Sequence, residues 1–350
     1  MNQQVRVLVV DDSALVRELL REGLSRDPEI LVIGVAKDAY EARDKIVHLK
    51  PQVLTLDVEM PKMDGVAFLR KLMPQYPLPV VMVSSLTIKG KQVTIDALEA
   101  GAVDFVSKPT ADVVRGLEGM IGQLCTKIKI AATANVSHWK HRRPPSSPKP
   151  TAIVQSLSET TDKVIAIGAS TGGTEAIREL LLGLPRNCPG VVVVQHMPAG
   201  FTKVFAERMN TLCTLEVVEA QSGDRIMPGR VLIAPGGDNH LVVVRSGGQY
   251  RVSLVAGEKV LGHRPSVEVM MMSVAQAVGK NAVGVMLTGM GRDGADAMVK
   301  MRKAGARTLA QDEATSVVFG MPKEAWERGG AERLVALPDL PGQIIAMVNT

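Results

Sequence analysis

Along the first hundred or so residues, short runs of β-branched and aliphatic side chains alternate with longer stretches whose apolar positions return every three or four residues. The short runs predict strands at Arg6 to Val10, Ile30 to Val35, Val53 to Leu56, Val80 to Val83 and Asp104 to Val106. The periodic stretches predict helices: Leu15, Leu19, Leu20 and Leu24 fall on one face, and Ala39 to Leu49, Gly65 to Leu72 and Val93 to Ala100 follow. Strand alternating with helix implies a doubly wound parallel sheet. A further helix is predicted over Leu117 to Ile130, from Met120, Ile121, Leu124 and Ile128.

From Ser137 to Thr151 the pattern fails, and prolines, serines and basic residues leave almost nothing to bury. This reads as a linker, interrupted by Trp139, whose expected role is packing against a neighbouring domain. Strand and helix alternation then resumes. Val164 to Ile167, Val191 to Val194, Val231 to Ala234 and Val283 to Leu287 read as buried strands. Helices are expected from Glu175 to Leu182, around Phe201, Val204 and Phe205, and from about Ala295, with a hairpin through Gly247 and Gly248. The division expected is 1–125, a linker over 126–158, and a second domain over 159–350.

Composition narrows this picture. A chain of 350 residues is long for one core, which agrees with two domains. Three cysteines, Cys125, Cys188 and Cys213, are widely spaced and suggest neither a disulfide framework nor a zinc site. No apolar run is long enough to span a bilayer and the start lacks a secretory pattern, so a cytoplasmic protein without direct membrane insertion is expected. The net charge of +5 is partly local, because Lys140, His141, Arg142, Arg143 and Lys149 cluster in the linker. A nucleic-acid partner would call for a basic reading helix, and the second domain has glycine loops closing its strands instead, so none is expected.

In parallel sheets, functional groups gather beyond the carboxyl ends of the strands. That rule assembles Asp11, Asp12, Asp57, Ser84 and Lys108. Three crowded carboxylates repel one another, and a hard divalent cation such as Mg²⁺ relieves the repulsion. One carboxylate can then accept a phosphoryl group, with Lys108 and the Ser84 hydroxyl on its oxygens. With the acidic pair, Thr55-Leu56-Asp57-Val58-Glu59-Met60-Pro61, Met63-Asp64-Gly65, Ser84 and Lys108-Pro109, the segment from Met1 to about Cys125 resembles a response-regulator receiver domain. The resemblance implies a flavodoxin-like five-stranded sheet, phosphorylation at Asp57, a metal held by Asp11, Asp12 and Asp57, and a histidine kinase as phosphodonor.

The second domain turns on Gly168-Ala169-Ser170-Thr171-Gly172-Gly173, where a strand meets a helix. Three chemistries compete for Ser170. A dinucleotide site needs Gly-x-Gly-x-x-Gly and an acid closing the second strand, and both are missing. An α/β-hydrolase matches Gly-x-Ser-x-Gly, and Asp224 or Asp238 followed by His240 or His263 would keep its order of acid and histidine, but no strands precede the serine to supply the usual oxyanion loop. The third reading takes strand ends as its guide: Ser170, His196 and Asp293 each follow a buried run and suit the roles of nucleophile, base and orienter.

The second domain resembles the chemotaxis protein-glutamate methylesterase family. The resemblance rests on Ile167 to Gly173, Gln195-His196-Met197-Pro198, Ala234-Pro235-Gly236-Gly237, His263-Arg264-Pro265-Ser266, Leu287 to Gly294, and Gln311-Asp312-Glu313 running to Pro322. It implies a Rossmann-like, mainly parallel sheet and a triad of Ser170, His196 and Asp293. Met290 would supply an oxyanion-binding amide and Thr171 would support the site. It also implies hydrolysis of glutamate γ-methyl esters and deamidation of glutamines on methyl-accepting chemoreceptors, without a metal for that step. Phosphorylation at Asp57 is expected to relieve an obstruction of Ser170 by the receiver. Arg292 stands where a small polar residue is expected, and its charge is expected to act on Asp293 or on an acidic surface.

Overall fold

A computed structural model describes residues 4–85, 87–108, 113–141 and 162–349. Pro109 and linker residues 142–158 lie outside these. The chain divides after Pro145 into two compact units.

The first unit holds β1 (Val5–Val10), α1 (Ala14–Leu24), β2 (Ile30–Ala36), α2 (Ala39–Leu49), β3 (Val53–Asp57), α3 (Gly65–Gln75), β4 (Val80–Ser84), α4 (Ile88–Glu99), β5 (Asp104–Ser107) and α5 (Val113–Ala131). Its five strands are parallel in the order β2-β1-β3-β4-β5. This is the flavodoxin-like order, which reverses its winding between β1 and β3 and so opens a crevice at their ends. Strands β3 and β4 are buried throughout, which is why they read as unbroken apolar runs. Helix α5 continues past Cys125, and the short 3₁₀ segment Ser137–His141 follows it. Trp139 packs as expected of a tryptophan that follows the receiver domain, against that adjoining domain. Its indole lies against Gly101 of its own unit, so close that a Cβ there would meet the ring at 3.0 Å.

The second unit holds β6 (Val164–Ala169), α6 (Gly173–Gly183), β7 (Gly190–Gln195), α7 (Phe201–Leu212), β8 (Glu216–Glu219), β9 (Arg230–Ile233), β10 (Asn239–Ser246), β11 (Gln249–Ala256), α8 (Val267–Ala277), β12 (Ala282–Met286), α9 (Ala295–Lys303), β13 (Arg307–Gln311), α10 (Met321–Glu327), β14 (Arg333–Val335) and α11 (Leu340–Val348). Seven strands run in the order β14-β13-β12-β6-β7-β9-β8, every neighbouring pair parallel. The expected hairpin forms from β10 and β11, with Gly247 and Gly248 both at positive φ as its two-residue turn requires. Strands β6, β7 and β12 are buried along their whole length and form the centre of the sheet. Phe201 and Phe205 of α7 and Val267, Met270, Met271 and Val274 of α8 complete the core. Among the described residues no helix is long and apolar enough to cross a membrane.

Candidate active site

Three adjacent strands, β6, β7 and β12, carry Ser170, His196 and, in the loop that follows, Asp293 beyond their carboxyl ends. Ala169 pairs with Gln195 in the ladder, so the next residue on each strand, Ser170 and His196, leaves the sheet side by side. The backbone ties them further: His196 N–H donates to the Ala169 carbonyl at 3.1 Å, and Ser170 N–H donates to the Thr288 carbonyl beyond β12 at 3.0 Å. Gln195, given no role by the sequence, clamps both, because its Nε2 donates to the Ser170 carbonyl at 2.9 Å and to the His196 carbonyl at 3.2 Å. Gly172 starts α6 at φ +76, a conformation that a side chain rarely adopts.

His196 Nε2 lies 2.8 Å from Asp293 Oδ2. Its Nδ1 is buried and has no hydrogen-bond partner among the described residues, so it is the nitrogen available to take a proton. The carboxylate is the more elaborate partner. Asp293 Oδ1 accepts from Ser266 Oγ at 2.7 Å and from Glu268 N–H at 3.0 Å, and Oδ2 also accepts from Val267 N–H at 2.7 Å. The two amides belong to the first turn of α8, where free N–H groups and the helix dipole favour an anion. Burial pushes the Asp293 carboxyl up, but the His196 hydrogen bond and charge, Ser266 and the Glu268 amide together hold it below the usual carboxylate range. Asp293 is therefore an anion whose orientation is fixed from two sides.

Beyond β12 the loop presses on the serine. A Cβ at Gly289 would meet Ser170 Cβ at 2.7 Å, so only glycine fits there. Gly289 is anchored by its N–H to the Val318 carbonyl and by its carbonyl to Gly320 and Met321 N–H groups. The next amide, that of Met290, has no hydrogen-bond partner among the described residues, and its residue is exposed. Thr171 is buried, and its carbonyl accepts from Thr288 Oγ1 at 3.0 Å.

The α/β-hydrolase alternative finds no support in this geometry. Asp224 accepts from Gln221 N–H and pairs with Arg230, and Asp238 pairs with Arg264 on the surface. His240 is engaged by main chain at both ring nitrogens. His263 stands at the site in another way: its ring stacks on that of His196, with centroids 3.7 Å apart and planes within 4°. Arg292 is exposed and the adjacent Asp293 is buried.

In the first unit, Asp11, Asp12 and Asp57 bring carboxylate oxygens within 4.8 Å of one another, a hard-oxygen set consistent with a Mg²⁺-binding receiver site. Lys108 Nζ reaches Asp11 at 3.0 Å and Asp57 at 2.9 Å. Burial pushes the Asp57 carboxyl up to about 6, with Lys108 opposing and Asp11 adding to the rise. The Ser84 hydroxyl is fully buried and lies 2.5 Å from Thr94 Oγ1 and 3.3 Å from the Gly90 carbonyl, both on α4.

A family model described as CheB methylesterase matches residues 165–344, and one described as response regulator receiver domain matches residues 7–115. A protein of Syntrophotalea carbinolica, named protein-glutamate methylesterase/protein-glutamine glutaminase, is 65% identical over 100% of this chain and 99% of its own length. The chain belongs to the CheB methylesterase family. A relative of the same name from Sulfurimonas denitrificans is 54% identical over 99% of both chains. The crystal structure of the Thermotoga maritima CheB methylesterase catalytic domain superposes with a TM-score of 0.52 at 38% identity, covering 53% of this chain and 98% of that one. The family thus accounts for both units, a receiver followed by a methylesterase domain.

Proposed function

We propose that the chain hydrolyses glutamate γ-methyl esters on methyl-accepting chemoreceptors, releasing methanol, and deamidates receptor glutamines by the same acyl-enzyme route. Ser170 is the nucleophile. His196 Nδ1 takes its proton as Oγ attacks the ester carbonyl, while Asp293 accepts from Nε2–H and stabilises the imidazolium. The oxyanion of the tetrahedral intermediate accepts from Met290 N–H. Collapse breaks the carbonyl carbon to methoxy oxygen bond, and His196 returns the proton to the departing methanol. Water, deprotonated by His196, then cleaves the acyl-serine to leave glutamate. With glutamine the same steps release ammonia. The observation that carries this reading is the buried His196 to Asp293 pair at 2.8 Å, one residue off the ladder from Ser170.

The receiver is proposed to control this activity through phosphorylation of Asp57 by a chemotaxis histidine kinase. Asp11, Asp12 and Asp57 would hold Mg²⁺, which would neutralise charge on the transferring phosphoryl group, with Lys108 as a second cation there. Methanol release from methylated receptor membranes tests the esterase reading. Ser170→Ala is expected to lower the rate by about 10³-fold or more, and His196→Ala comparably. Full activity in the serine variant would overturn it.

A further inference from the structure

His240 is a buried histidine with both ring nitrogens committed. It sits on β10, and its Nε2 lies 2.8 Å from the Glu258 carbonyl. A carbonyl only accepts, so Nε2 carries the proton and Nδ1 is left with a lone pair. That lone pair accepts from Ser266 N–H at 3.1 Å. Ser266 is the N-cap of α8, and its hydroxyl donates to Asp293 Oδ1 at 2.7 Å. The next two residues give their amides to the same carboxylate, Val267 at 2.7 Å and Glu268 at 3.0 Å. One ring therefore fixes the peptide from which three donors to Asp293 spring.

From this chain of contacts we infer that His240 is a positioning residue for the hydrolysis: in its Nε2–H tautomer it holds Ser266 and the start of α8 so that they aim Asp293 at His196. The inference rests on the proposed role of Asp293 as triad acid. A buried N–H needs an acceptor, and a main-chain carbonyl would satisfy Ser266 equally well. An imidazole adds something that a carbonyl lacks, since it is itself oriented by Glu258 and spans from the β10–β11 hairpin to α8. Misplacing an acid by a few tenths of an ångström weakens its hold on the imidazolium that forms during catalysis, while the substrate's own contacts are untouched. The effect should therefore fall on kcat and leave KM alone.

Two substitutions separate this role from packing. In His240→Asn the amide oxygen stands where Nδ1 stood and can accept from Ser266. In His240→Gln the amide reaches the Glu258 carbonyl but offers no acceptor at the Nδ1 position. Methanol release by the full chain should show kcat about ten-fold lower in His240→Gln with KM within about two-fold of wild type, and most of kcat recovered in His240→Asn. Ser266→Ala should lower kcat similarly, and adding His240→Gln to it should cost little more. Wild-type kcat in His240→Gln, equal loss in both His240 variants in step with their thermal midpoints, or additive effects with Ser266→Ala would each overturn the inference. Asp293→Asn, measured beside them, keeps the two readings apart. If it is fully active the triad assignment falls and this inference with it; if it is inactive while His240→Gln is wild-type, only the inference falls.

Discussion

Asp293 shows how much of this site is spent on orienting one side chain. Its two oxygens receive His196, the Ser266 hydroxyl and two helix amides, and an asparagine there would turn an NH₂ group toward one set of donors. Asp293→Asn is expected to lower kcat by about 10⁴-fold with little change in fold stability, read from methanol release and thermal unfolding side by side. Gln195 makes a second case. Replacing it with leucine removes the donor shared by the Ser170 and His196 carbonyls, and a kcat drop of about ten-fold is expected. Asp57 supplies a pH-dependent one. Its folded-state value of about 6 lies above that of an unfolded chain, so the native state holds the proton more tightly and loses stability as pH rises from the ordinary carboxylate range through 6. A divalent cation binds the ionised form, so Mg²⁺ should raise the thermal midpoint of the receiver more at a pH of about 7.5 than at about 5.

Helix α8 does most to arrange the Asp293 carboxylate, and its packing is correspondingly tight. Val267 fills the space where Cβ atoms at Gly168 and Gly294 would lie, at 2.3 and 2.4 Å from its Cγ1. Gly168→Ala should push the first turn of α8 away, costing about 1–3 kcal/mol of stability and most of the activity. Val267→Ala in the same chain should restore part of both, and denaturant unfolding with methanol release would show it. This helix was also the least legible element. Val267 to Ala277 is apolar on nearly every side, so the three-to-four spacing that reveals an exposed helix is blurred. The available signal was Ser266 followed by Glu268, a helix start just after a proline. By contrast the central strands were plain, because burial on both faces leaves unbroken aliphatic runs, and the residue closing each run then stands out. That is why Ser170, His196 and Asp293 stand out in the sequence as the proposed triad, while Gln195 and Ser266 stand there only as motif residues and His240 only as an alternative triad histidine. These three act through main chain that only the folded protein brings near.

At the scale of the whole molecule, two sheets of the same architecture do different work. The receiver gathers charge at the crevice between β1 and β3, and the second unit gathers Ser170, His196 and Asp293, the proposed nucleophile, base and acid, beyond the ends of β6, β7 and β12. Asp57→Asn should abolish stimulation of methanol release by acetyl phosphate with Mg²⁺, and leave unstimulated release at the wild-type level, since no part of the proposed triad is altered. The short strands β8 and β14 limit the larger sheet at its two edges. Ser170 and His196 leave neighbouring central strands one residue past the paired Ala169 and Gln195, so their spacing is set by the backbone ladder, while Asp293 is placed by the loop after β12 and the first turn of α8. Mutation can reshape the rim, and with it the range of substrates admitted, without dismantling the reaction.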